Sequence, residues 1–168
     1  NNNKSDRGGG IYSYTYSNST IVNNQVINNK ADYYGGGLDI GGDTNILKYN
    51  YIYNNTSKHG GGLSYSSGNL IMKFNTIKNN EANLGGFLYN RENNEGSIKL
   101  LNYNIIEYNN ATAGKAIYNY RDTNINAKDN WWGTANNIKI DEHIYDYYDD
   151  LEKGKVQYEP IATQPYDF

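Results

Sequence analysis

Apolar residues in this chain come in short runs that alternate with polar ones. From Ile46 to Ile52 and from Ile71 to Ile77 the period is near two, and neither run extends far enough for an amphipathic helix. The runs predict short strands, and what separates them repeats. Gly8-Gly9-Gly10-Ile11 returns as Gly35-Gly36-Gly37-Leu38 and Gly60-Gly61-Gly62-Leu63. It then decays to Gly85-Gly86-Phe87-Leu88 and Gly114-Lys115-Ala116-Ile117. A second motif follows each copy: Asn24-Gln25-Val26-Ile27-Asn28-Asn29, Asn50-Tyr51-Ile52-Tyr53-Asn54-Asn55, and Asn75-Thr76-Ile77-Lys78-Asn79-Asn80. A fourth copy starts at Asn104-Ile105-Ile106-Glu107 with its Asn pair displaced to Asn109-Asn110, and Asn130-Trp131-Trp132 closes the series. The period is about 25 residues, stretched in the fourth copy by Arg91–Gly96.

A unit of that length, made of short strands and polar turns, cannot bury a core alone. Stacked coils can, with Leu38, Leu63 and Leu88 above one another inside a narrow prism. At the usual strand spacing of about 4.8 Å, about five coils make a rod on the order of 24 Å long. The expected fold is therefore all-β, a parallel solenoid of about five coils over residues 1–135. Stacking also accounts for the composition of 30 Asn, 19 Tyr and 18 Gly in 168 residues. Gly ahead of each inward Leu admits a positive φ, and Asn tolerates the left-handed region. Asn24, Asn50, Asn75, Asn104 and Asn130 are placed to form a side-chain amide ladder.

After Ala135 the repeat stops. Ile140, Ile144, Tyr147, Tyr148 and Leu151 recur at three- and four-residue steps. They predict a short helix, capped by Asp141 and ended by Gly154, with Val156-Gln157-Tyr158 as a strand stopped by Pro160. Residues 136–168 are expected to cap the last coil, lying on Trp131 and Trp132. The opening Asn1-Asn2-Asn3, without an initiator Met, is expected to be a cut through a β-helix that continues N-terminal to residue 1.

The two repeated motifs resemble those of right-handed parallel β-helix proteins of the pectin-lyase-like class. The ending Lys128-Asp129-Asn130-Trp131-Trp132-Gly133-Thr134, followed by Gly154-Lys155-Val156-Gln157-Tyr158-Glu159-Pro160, is similar to the end of such repeats in adhesin-like surface proteins of methanogenic archaea. The resemblance implies a right-handed coil, an extracellular location on the cell surface, and attachment to glycans or surface proteins of another cell. It also raises an alternative, because the same fold class houses polysaccharide lyases and glycoside hydrolases.

Composition narrows the chemistry. A net charge of −3 with no basic run argues against nucleic-acid binding. The absence of Cys excludes disulfides and cysteine-held metals. No apolar stretch approaches the length of a membrane span. Sugar-cleaving enzymes need clustered carboxylates or a placed base. The residue after each inward Ile or Leu reads Tyr12, Asp39, Ser64, Tyr89 and Tyr118, with one acid among them. Asp43 lies past the turn, His59 and His143 lack a recurring acidic partner, and Arg91 and Arg121 fall in irregular segments. Asp146, Asp149 and Asp150 read as a solvated helix face, since their spacing fits no EF-hand loop.

No catalytic residue, metal or cofactor is therefore expected. The candidate binding face is the outward one, Tyr12, Tyr14, Asp39, Tyr89, Tyr118 and Tyr120, by strand alternation. Exposed Tyr beside Asn suits sugar or protein contact, and it equally suits cross-strand ladders that stabilise the sheet. The sequons at Asn18, Asn54, Asn55 and Asn110 permit glycosylation.

Overall fold

The structure is a computed structural model that describes residues 1–14, 18–91 and 96–168. Its strands stack in parallel as a β-solenoid of about five turns with four sheets along its sides. The first sheet holds Lys4–Arg7, Lys30–Tyr34, Thr56–His59, Glu81–Leu84 and Asn110–Ala111. The second holds Ile11–Ser13, Leu38–Ile40, Leu63–Tyr65, Leu88–Asn90, Ile117–Asn119 and Ile144–Tyr145. The third holds Asn18–Val22, Thr44–Lys48, Gly68–Lys73 and Gly96–Asn102. The fourth holds Gln25–Ile27, Tyr51–Tyr53, Thr76–Lys78 and Ile105–Glu107.

The register is the one the repeat predicts. Ile11, Leu38, Leu63, Leu88, Ile117 and Ile144 pair in sequence across the second sheet, and all but the half-buried Ile11 are buried. Leu47 and Met72 from the third sheet, and Ile52, Ile77 and Ile106 from the fourth, complete the interior.

Two positions in the glycine triplets show why the turn is so constrained. Gly35 has a φ of +63°, which L side chains avoid. Gly61 needs no special φ, but a Cβ there would lie 2.4 Å from the Glu81 carbonyl oxygen and 2.5 Å from that of Gly86. One glycine serves conformation and the other serves the close approach of neighbouring coils.

The amide ladder is present. Nδ2 of Asn24, Asn50, Asn75 and Asn104 donates to Oδ1 of the next member at 3.3, 3.0, 2.9 and 3.0 Å, ending on Asn130. A second ladder, which the sequence reading did not single out, runs Asn3, Asn29, Asn55, Asn80, Asn109. The left-handed conformation belongs to the residue ahead of each ladder Asn. Asn23, Tyr49, Phe74, Tyr103 and Asp129 take it ahead of the first ladder, and Asn28, Asn54, Asn79 and Tyr108 ahead of the second. Asn55 is buried, with its amide donating to Asn80 and to the Val26 carbonyl, so its sequon is closed in the fold, while Asn18, Asn54 and Asn110 are exposed.

The end of the chain differs from expectation in several respects. The helix spans Asn137–Asp141, and Asn136 rather than Asp141 caps its start, accepting from the Ile138 and Lys139 amides. It stops early because Ile144–Tyr145 joins the second sheet as a further strand, which satisfies the edge left by Ile117–Asn119. Tyr148 and Leu151, expected on a buried helix face, are exposed. Asp146 is buried rather than solvated, and it accepts from the Tyr148 and Val156 amides. Val156–Gln157 pairs with Ile125–Asn126. Trp132 enters the core against Tyr158, whereas Trp131 is half-buried and donates to Glu107.

Candidate functional site

Two rows of side chains face each other across the glycine turn between the first and second sheets. On the first sheet Arg7, Tyr34, His59 and Leu84 are in register. On the second the row is Tyr12, Asp39, Ser64, Tyr89, Tyr118 and Tyr145. The residues before and after each of these point inward, so alternation turns the row out. Outward does not mean exposed. Tyr12 and Tyr14 are 51 % and 39 % accessible, Tyr89, Tyr118 and Tyr120 are half-buried, and Asp39 is completely covered.

Two arginines account for the covering of Asp39. Arg7 Nε donates to one carboxylate oxygen at 2.9 Å, and an Nη of Arg91 donates to the other at 2.7 Å. The expectation that Asp39 belongs to an open binding row is thus corrected. Its small neighbours Gly41, Ser64 and Ser66 leave a gap beside it that long side chains from other elements fill. Burial pushes the Asp39 carboxyl up from its usual 3.8, while the Arg91 and Arg7 charges pull it back down. Charge-assisted bonds to both oxygens oppose that rise by favouring the ionised form. Burial pushes Arg91 down, with Asp39 opposing.

The aromatic rings are organised around these arginines. The Arg7 guanidinium lies 5.5, 5.3 and 5.4 Å from the Tyr12, Tyr14 and Tyr34 ring centres, and that of Arg91 lies 4.5 Å from Tyr34. From Tyr34 a run of rings continues along the rod. His59 is 5.3 Å from Tyr34 and 4.9 Å from Tyr89; Tyr118 is 5.7 Å from Tyr89. Tyr145 stacks on Tyr118 at 4.2 Å, nearly parallel. Tyr120 lies alongside Tyr118, with the Lys153 ammonium 4.4 Å from its ring centre. Burial, together with Tyr34, Tyr118 and Tyr120, pushes the Tyr89 hydroxyl up to about 12, so it remains a neutral donor. Burial, with Lys58 and Arg91, pushes His59 down from 6.5, so at neutral pH its ring is an uncharged member of the stack.

The structure therefore brings Tyr12 and Tyr14 together at one end, Tyr89, Tyr118 and Tyr120 together at the other, and locks Asp39 between them. Sequence reasoning missed Arg7 and Tyr34, and it weighed His59 and Arg91 only as catalytic candidates and set them aside. The available signal was position: Arg7, Tyr34 and His59 each stand directly before a glycine turn whose far side carries the outward row. Among the described residues no group of three or more His, Asp or Glu side chains converges as a metal site. No helix is long and apolar enough to cross a membrane. Compared with protein-family models, curated proteins and solved structures, the chain matches none of them.

Proposed function

We propose that this chain is a non-catalytic, adhesin-like segment of a cell-surface protein, a rigid rod that presents its aromatic–arginine face to a glycan or to a surface protein of another cell. The observation that supports this reading is the pairing in one face of partly exposed tyrosine rings with an Arg7 side chain that is 35 % exposed and anchored to Asp39 through its Nε. Rings with hydroxyl tips offer an apolar surface and a hydrogen-bonding edge at little entropic cost. The one acid in the row has both oxygens bonded to arginines, an arrangement suited to holding side chains in place rather than to exchanging protons. The near-parallel Tyr118–Tyr145 pair supports a second reading, a structural stalk whose rings serve only to join the last coil to the cap.

Beads carrying the full chain, tested against glycan arrays and whole cells, separate the two. Attachment is expected, and it should fall by about tenfold or more in a Tyr12→Ser, Tyr89→Ala double variant whose melting is monitored in parallel. Equal attachment by the folded variant supports the stalk. Reducing-sugar and unsaturated-product assays on acidic and neutral polysaccharides should find no turnover, and clear turnover would replace both readings with the enzyme.

A further inference from the structure

A cavity of about 670 Å³ lies at the end of the solenoid, between the last coil and the terminal segment. Lys115 and Lys128 reach it from the coil side; Asp141, Tyr148, Lys155 and Glu159 reach it from the terminal segment. Its volume falls within the range of about 300–1,000 Å³ common for small-molecule sites.

The polar groups on its walls are partly committed to one another. Lys115 donates to Asp149 at 2.7 Å, the Tyr158 hydroxyl donates to Asp141 Oδ1 at 2.7 Å, and Asn137 donates to Glu159 Oε1. Asp146 has both oxygens on backbone amides. What remains is a mixed set. The Lys128 and Lys155 ammonium groups make no hydrogen bond or ion pair among the described residues, and Asp141 Oδ2 and Glu159 Oε2 accept none. Lys155 is held 5.1 Å from the Tyr148 ring centre, and Tyr148 is 76 % exposed, with its ring open to a ligand.

Three ammonium groups face four carboxylates here, so an ion of either sign meets both attraction and repulsion. A ligand suited to this wall carries little net charge, donates and accepts at closely spaced points, and has a flat apolar face for Tyr148. Adjacent hydroxyls on a sugar ring meet all three requirements: each can accept from a lysine and donate to a carboxylate. We infer that the cavity is a binding site for one or two units of a neutral saccharide, with Lys128 and Lys155 as donors, Asp141 and Glu159 as acceptors and Tyr148 as the stacking platform. This inference does not rest on the lateral face.

Saturation-transfer NMR of the full chain with glucose, galactose, mannose and N-acetylglucosamine, each offered separately, tests it, with galacturonate as the anionic comparison. At least one neutral sugar should receive transfer at its ring protons and shift the Tyr148 resonances. Tyr148→Ala and Glu159→Gln should each weaken that binding by about tenfold, as expected for one stacked ring or one charged hydrogen bond. Both residues are exposed, so melting should be unchanged in both variants. Tyr89→Ala, on the lateral face, should leave this binding intact. Binding of galacturonate alone, binding that survives Tyr148→Ala, or no transfer from any neutral sugar would overturn the inference.

Discussion

The inside and the outside of the second sheet obey different rules, although they alternate along the same short strands. Inside, every coil offers the same kind of residue: Leu38, Leu63, Leu88, Ile117, Ile144. Outside, the same coils offer Asp39, Ser64, Tyr89, Tyr118, Tyr145. A coil's interior must match the coil above and below it, so its residues are set collectively. Its exterior owes its neighbours only a backbone, and side chains from other sheets can be recruited there. Repetition therefore marks what stacking requires, and departure from repetition marks where individual chemistry is concentrated.

The sharpest way to break the collective side is at a ladder Asn. Asn75 Oδ1 accepts from both the backbone and side-chain nitrogens of Asn50, and its Nδ2 donates to Asn104 and the Leu47 carbonyl. Asn75→Leu, which fills the space but satisfies none of these groups, should cost about 3–6 kcal/mol, at about 1–3 per orphaned group. That is enough to unfold many domains. Urea denaturation measures it, and a loss under about 1 kcal/mol would mean that apolar packing, not the ladder, holds the coils together.

On the individual side the effect should depend on which coil is changed. Asp39→Ala leaves two guanidiniums side by side without their carboxylate and should cost about 3–5 kcal/mol. Tyr12→Ser, in the same row, should cost no more than about 1 kcal/mol. Equal costs in parallel thermal melts would show the outer row to be as collective as the inner one.

The smallest expected effect is on pH dependence. Burial favours the neutral His59 ring, so the unfolded chain takes up a proton near 6.5 that the folded chain resists. Stability contributed by His59 is then complete above 6.5 and lost as pH falls through its lower folded value. NMR titration of His59 should give a midpoint below 6.5, and His59→Phe should flatten that part of the stability profile. A midpoint at or above 6.5 would show the ring to be wet and outside the stack.

The interior was readable in the sequence because it repeats: Leu38, Leu63 and Leu88, and the run Asn24 to Asn130, stand at nearly fixed spacing. The outer cluster was only half readable. Alternation turned Asp39 outward, but its exposure depended on Arg7, 32 residues before it, whose residue type does not repeat at its position, and on Arg91, 52 after it, in an irregular segment. The terminal helix was overread for a different reason. Ile144 satisfies a helical spacing from Ile140, yet its backbone is worth more as a strand on an otherwise open edge, and no side-chain pattern records that need.

The chain's last residue does not sit where the solenoid ends. Tyr166 packs edge-on to Tyr103 and donates to the Asp129 carbonyl; Phe168 meets Tyr49 and Phe74, rings that belong to the second and third coils. The terminal segment thus doubles back along the flank, over a column of aromatics at turns with positive φ. A tether fixed to Phe168 would leave from the side of the rod, and tension on it would first strain contacts with the middle of the stack. The last coil would take the load next, through the Tyr166 bond to the Asp129 carbonyl.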